Sequence, residues 1–233
     1  MPFHNRLPMT DHPTPSNRSH ASNAAINPVS QLSAIVLAGG QSSRMGTDKA
    51  LVEIEGQPML LRVCEVAFSC TPWVYVVSGW NHRYQPILDD RVKFVQEVSL
   101  VKDIYPHGPL VGFAQGLQQV KTDWVLLLAC DMPCLSPEEL YRWMQELPHL
   151  SLDTRVALAR NRKGWWEPMC GFYRRDCQSS LDAFIQSGGR SFQRWLESQK
   201  VYELRAHDPE MLFNCNTPAD VERVESRKGA GED

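Results

Sequence analysis

An α/β layer architecture on a mostly parallel central sheet follows from three features of this chain. From Ser33 onward, short apolar runs alternate with helix-patterned segments, the order that strand-helix units with right-handed crossovers produce. The run Trp124-Val125-Leu126-Leu127-Leu128-Ala129 is apolar throughout, as a strand covered on both faces must be. A glycine-rich loop follows the first apolar run, at the place where such sheets bind ligands, beyond the carboxyl ends of their strands.

The elements follow in order. Residues 34–37 (Ala-Ile-Val-Leu) read as the first strand. Residues 58–69 read as a helix, with Pro58 at its start and Leu60, Leu61, Val63, Val66 and Ala67 along its apolar side. Residues 73–77 and 91–95 are short strands, and a helix over 110–120 opens after Gly108-Pro109. Strand 124–129 comes next. Ser136-Pro137-Glu138-Glu139 then starts a helix with an N-cap, a proline in the first turn and acids placed for the helix dipole. Residues 156–159 and 169–173 are strands, a helix begins near Asp176, and Thr217-Pro218-Ala219-Asp220 opens the last helix in the same capped style. No internal repeat is present.

The loop itself reads Leu37-Ala38-Gly39-Gly40-Gln41-Ser42-Ser43-Arg44-Met45-Gly46-Thr47-Asp48-Lys49. Glycines let a backbone bend sharply and bring its N–H groups close to a ligand. Arg44 and Lys49 supply the positive charge a triphosphate requires. The pattern is not a Walker loop, since Gly46 is followed by Thr47-Asp48-Lys49, and it is not a dinucleotide fingerprint, since Gly39 and Gly40 are adjacent. A third kind of nucleotide loop is indicated. Asp131, directly after strand 124–129 and Cys130, comes to the same edge of the sheet.

Composition narrows the remaining classes. A length of 233 residues with 42% hydrophobic content allows one good-sized domain with an ample core. A formal net charge of −3 gives no basic field for nucleic acid or an anionic membrane, and no apolar run approaches the length of a span. Seven cysteines, an odd set without a CxxC pair, fit reduced thiols in a cytoplasmic core. Residues 1–31 are rich in Pro, Asn, Ser, His and Thr and read as a disordered tail. A transit peptide is the other reading of Arg6 and Arg18 against the lone acid Asp11, although arginine is sparse for one. The folded domain is expected over 32–227, with 228–233 frayed.

With its companions, the loop resembles the signature of the molybdenum cofactor guanylyltransferases of MobA type. The companions are Gly108-Pro109-Leu110-Val111-Gly112, Leu128-Ala129-Cys130-Asp131-Met132-Pro133, Glu167-Pro168-Met169 and Asn214-Cys215-Asn216-Thr217-Pro218-x-Asp220. The resemblance covers residues 32–224 and implies a three-layer Rossmann-like nucleotidyltransferase fold. It implies transfer of GMP from GTP to molybdopterin with loss of pyrophosphate, and Mg2+ as the metal. It also implies other molybdenum cofactor assembly proteins and acceptor molybdoenzymes as partners. Relatives that use CTP carry Ala-Ala-Gly at the loop's start, so Ala38-Gly39-Gly40 favours GTP. Two alternatives stand: a related nucleotidyltransferase using CTP or a sugar-phosphate acceptor, and a catalytically silent GTP-binding partner in cofactor assembly.

Carried onto this chain, the resemblance gives each residue a task. The backbone of Leu37, Ala38, Gly39 and Gly40 holds the nucleotide. Lys49 and Arg44 neutralise the β- and γ-phosphates and the departing pyrophosphate, and loss of one such charge should cost about 2–4 kcal/mol of transition-state stabilisation. Asp131 is the magnesium ligand, because a cation that keeps its waters needs only one or two carboxylates besides phosphate oxygens. Glu97 stands where relatives place a nucleotide-binding acid, and Ser78 falls near their guanine-side Asn. Asn214 and Asn216 resemble the pterin-side or metal-side asparagines of the family, while an Asx turn explains Asn216 equally well. Asp220 reads as a surface acid matched to the helix dipole. Arg190, in the Ser187–Ser191 loop, is either a clamp for the pterin phosphate or part of a plain turn. Trp165-Trp166 beside Arg160 either stack on a pterin or pack in the core.

Overall fold

The computed structural model describes residues 32–39, 47–98 and 108–229. The tail expected over 1–31 and the loop residues Gly40 and Arg44 lie outside the described residues. In chain order the first half comprises β1 (Leu32–Leu37), the hairpin strands β2 (Glu53–Ile54) and β3 (Gln57–Pro58), α1 (Met59–Cys70), β4 (Val74–Ser78), α2 (Asn81–Tyr84) and β5 (Lys93–Gln96). There follow α3 (Pro109–Leu117), β6 (Trp124–Ala129), α4 (Pro137–Glu146), β7 (Val156–Arg160) and β8 (Trp166–Arg174). The chain closes with α5 (Gln178–Gln186), α6 (Phe192–Leu196), β9 (Val201–Leu204) and α7 (Pro218–Gly229).

Seven strands form one sheet in the order β5-β4-β1-β6-β8-β7-β9. β1 lies parallel between β4 and β6, with Leu37 opposite Val77 on one side and Ala129 on the other. β5 is parallel to β4, and β9 to β7. β8 runs antiparallel to both β6 and β7, so the sheet is mostly rather than wholly parallel. That reversal brings the start of β8 to the same edge of the sheet as the end of β6.

The period-2 alternation of a strand sends its side chains to two faces, and each face has its own helical layer. Ala34, Val36, Leu126 and Leu128 pack with Leu60 and Val63 of α1 and with Leu140 and Trp143 of α4. Ile35, Leu127 and Val125 pack on the other face with Leu110 and Phe113 of α3, Leu181 of α5 and Trp195 of α6. All six residues of β1 and of β6 are buried, which explains the unbroken apolar sequence of β6 and leaves Ser33 as the one polar residue in β1. Ser136 caps α4 as its sequence predicts, accepting from the Glu139 N–H at 3.2 Å. Among the described residues no helix is long and apolar enough to cross a membrane. All seven cysteines are free thiols.

Candidate active site

The chain passes from β1 outward through β4 to β5, then returns across β1 to lay down β6 on its other side. The end of β1 is therefore a topological switch point, where neighbouring connections leave in opposite directions and open a crevice. A cavity of about 450 Å³ occupies that place. This volume lies within the range of small-molecule sites. Leu37 and Gly39 from β1 and its loop, Val77 from β4, Glu97 from beyond β5, and Gly108, Pro109 and Gly112 at the start of α3 line one part. Asp48, Lys49, Ala50, Cys130, Asp131, Met169 and Asn214 line the rest.

Lys49 and Asp131 are 82 residues apart in sequence and meet here, Lys49 Nζ standing 3.5 Å from Asp131 Oδ2. The same ammonium donates to Asn216 Oδ1 at 2.5 Å. The amide is oriented for this, because Asn216 Nδ2 donates to the Asn214 carbonyl at 3.3 Å. Burial pushes the Asp131 carboxyl above the usual carboxylate range, against the opposing pull of Lys49. Burial does the same to Glu167, held down in part by Asn161 and Asn214 and raised further by the charge of Asp131. Among the described residues, Asp131 in the cavity and Glu167 near it are thus acids with less solvation than their charge demands, and the Lys49 ammonium stands beside Asp131.

A second anchor sets the backbone on the other side of Lys49. Asp48 accepts from the Ala50 N–H at 3.2 Å, closing a short 3-10 turn over Lys49–Leu51. The buried Tyr84 hydroxyl donates to Asp48 at 2.9 Å from Oδ2, and Arg83 stands 3.7 Å from the same oxygen. Sequence reasoning missed Tyr84, and no local signal could have supplied it, because the bond spans 36 residues.

At the opposite end Glu97 is fixed through its backbone, whose N–H donates to the Ser78 carbonyl at 2.9 Å. Its carboxylate lies over the glycines: a Cβ built on Gly39 would stand 3.1 Å from Glu97 Oε2, and one on Gly112 3.7 Å from Oε1. Gly108 adopts φ +84° as it turns into α3, a conformation that favours glycine.

Of the residues singled out from sequence, Leu37, Gly39, Lys49, Glu97, Asp131 and Asn214 line the cavity. Asn216 joins them through Lys49. Ala38 is buried, its N–H donating to the Val77 carbonyl at 3.0 Å. Ser78 is fully buried and its hydroxyl accepts from the Trp80 N–H, so its side chain is engaged away from the cavity. Arg190 is not a lining residue; its Nη1 donates to the carbonyls of Ile185 and Gly189 at the end of α5. Arg160 stacks on Trp166 with 3.7 Å to the ring centre, while Trp165 is exposed. Asp220 lies in the first turn of α7, as expected, and also accepts hydrogen bonds from the N–H groups of Asn216 and Thr217.

Fold and cavity define the class: an α/β protein of nucleotidyltransferase type, with its site at the switch point. The chain belongs to the family of the MobA-like NTP transferase domain, whose model matches residues 34–202. It is 50% identical over 193 residues to a protein of Trichormus variabilis named a probable molybdenum cofactor guanylyltransferase, covering 83% of this chain and 90% of that one. A molybdenum cofactor guanylyltransferase of Syntrophotalea carbinolica is 31% identical over 206 residues, covering 85% and 92% of the two chains. Among solved structures, molybdopterin-guanine dinucleotide biosynthesis protein A from Archaeoglobus fulgidus superposes with a TM-score of 0.66 at 24% identity, over 85% of this chain and 99% of that one.

Proposed function

We propose that this chain transfers GMP from GTP to the terminal phosphate of molybdopterin, releasing pyrophosphate. A phosphate oxygen of the acceptor attacks the α-phosphorus, a P–O bond forms, and the bond to the β-phosphate oxygen breaks with its electrons leaving on pyrophosphate. The acceptor phosphate is already ionised at neutral pH and needs no general base. The protein's work is then alignment and charge neutralisation. The observation that carries this reading is the Lys49 ammonium held between Asn216 and Asp131 at the switch-point cavity. It supplies positive charge where a triphosphate would lie, and a site partly shielded from water makes that charge count.

The donor set suits a hard divalent cation. Asp131 is an incompletely compensated carboxylate, and the amide oxygens of Asn214 and Asn216 are of the oxygen type such a cation prefers. We assign Mg2+ to Asp131, where it would neutralise phosphate charge when bound. At the other end, Gly39 stands where CTP-using relatives carry Ala, and a Cβ there would press on Glu97 Oε2 at 3.1 Å; the glycine supports GTP over CTP. Arg44 is assigned to the phosphates and Asn214 to the pterin side of the cavity. Seven free thiols support a reducing compartment such as the cytoplasm.

A magnesium-dependent pyrophosphate-release assay tests the reading, with molybdopterin as acceptor and GTP and CTP in parallel. Turnover with GTP alone, absent in Asp131→Ala, is expected. Preference for CTP overturns the base assignment, and GTP binding without turnover favours the silent partner.

A further inference from the structure

The last helix does more than close the chain. Thr217 and Asp220 form a reciprocal cap at its start: Asp220 Oδ2 accepts from the Thr217 N–H at 2.8 Å and the Thr217 hydroxyl at 2.9 Å, and the Asp220 N–H returns to Thr217 Oγ1 at 3.3 Å. These bonds account for the helix end. A further one does not: the Asn216 N–H also donates to Asp220 Oδ2, at 2.9 Å. Asn216 precedes the helix and needs no bond from it to cap it.

That extra bond fixes the backbone of the residue that holds Lys49. With its N–H tied to Asp220 and its Nδ2 to the Asn214 carbonyl, Asn216 can turn only its amide oxygen toward the ammonium. The segment is also fastened to Asp131 itself, just beyond β6, since the Cys215 N–H donates to the Asp131 carbonyl at 2.8 Å. Asp220 is not among the residues lining the cavity. We propose that Asp220 is a positioning residue, acting through the Asn216 amide to set the Lys49 ammonium where it meets phosphate. The proposal rests on the reading of Lys49 as a phosphate-binding group.

The probe is inorganic pyrophosphate with Mg2+, which engages the phosphate end without base or acceptor. Its affinity is measured by calorimetry on the full chain as wild type, Asp220→Ala, Lys49→Ala and the double variant. Asp220→Ala should weaken pyrophosphate about tenfold, as loss of a well-aimed hydrogen bond to a charged group does. The double variant should bind no more weakly than Lys49→Ala alone, because residues in one network are not additive. Asp220→Asn, which keeps an acceptor oxygen, should restore affinity to within about twofold of wild type. Effects that multiply in the double variant would overturn the proposal. So would an Asp220→Ala protein that melts lower yet binds pyrophosphate normally, since that is a helix cap and nothing more. If Lys49→Ala binds like wild type, the reading of Lys49 fails and the proposal falls with it, a pattern distinct from the other two. Should Asp220→Ala not fold, Asp220→Gln keeps a capping-box residue at that position and is judged by the same outcomes.

Discussion

At the residue scale, the site turns on charges that the fold leaves partly uncompensated. Asp131 has its ionisation opposed by burial more than it is aided by Lys49, so its folded-state carboxyl titrates above the unfolded one. A raised carboxylate stabilises the fold only while protonated, and that contribution disappears as pH rises through the folded value. Asp131→Asn should therefore melt no lower than wild type at pH 8, with any advantage vanishing toward acid, where both side chains are neutral. The same substitution should cut metal-dependent turnover by about 100-fold or more, the scale of lost electrostatic stabilisation. Parallel thermal melts and pyrophosphate release check both halves, and a variant that melts lower at pH 8 would refute the first. Gly39→Ala poses a different question. The added methyl meets the flexible end of Glu97 at 3.1 Å, so stability should change little while the carboxylate is displaced. Michaelis constants for GTP should rise about five- to tenfold with an unshifted melting curve, as for a mutation that disturbs binding alone.

At the scale of elements, helix α3 shows how tightly the site's walls are set. A Cβ on Gly116 would stand 2.7 Å from Val77 Cγ2 and 3.2 Å from Ile35, both on strands beneath the helix. Alanine gains about 1 kcal/mol of helix propensity over glycine. Overpacking against stiff β-branched side chains costs about 1–3 kcal/mol, so Gly116→Ala should lose stability on balance. Denaturant unfolding would show this as a lower midpoint with the slope unchanged, and a higher midpoint would contradict it.

Elements with strong periodicity or capping were legible in sequence: β1, α1, β6, and α4 with its Ser136 cap. Those that emerged only in the structure lack such signals. β9 buries only Leu204 within four residues, leaving no alternation to detect. The β2–β3 hairpin turns at Glu55 and Gly56, both at positive φ, and Glu-Gly is not one of the usual hairpin pairs. Pro58 both ends β3 and serves as the N-cap of α1, at the helix start its sequence predicts.

At the scale of the whole molecule, the sheet order gathers groups from far along the chain to one edge. Ligand binding to such a site should stabilise the fold as a unit. GTP with Mg2+ at about 100 times its dissociation constant should contribute about 2.7 kcal/mol, a rise in Tm of roughly 5–10 °C for a domain of this size. Lys49→Ala should lose most of that rise at the same concentrations, and an equal rise in both proteins would count against the phosphate role.

Taken alone, the sequence determined the α/β class and the place of the loop after the first strand, and it singled out Leu37, Gly39, Lys49, Glu97, Asp131 and Asn214, which line the cavity. It could do so because strands, caps and glycine loops are local patterns, written within a few residues of one another. Tertiary structure decided the rest. Only folding brings Tyr84 to Asp48, Asn216 and Asp131 to Lys49, and Glu97 over Gly39. The structure also shows how two local groups are used: the Arg190 guanidinium donates to the carbonyls of Ile185 and Gly189, and Asp220 accepts from the Asn216 N–H. For the pairs far apart in sequence the physical reason is the same: such contacts depend on the path of the backbone between the residues, and that path is set by how the whole sheet packs.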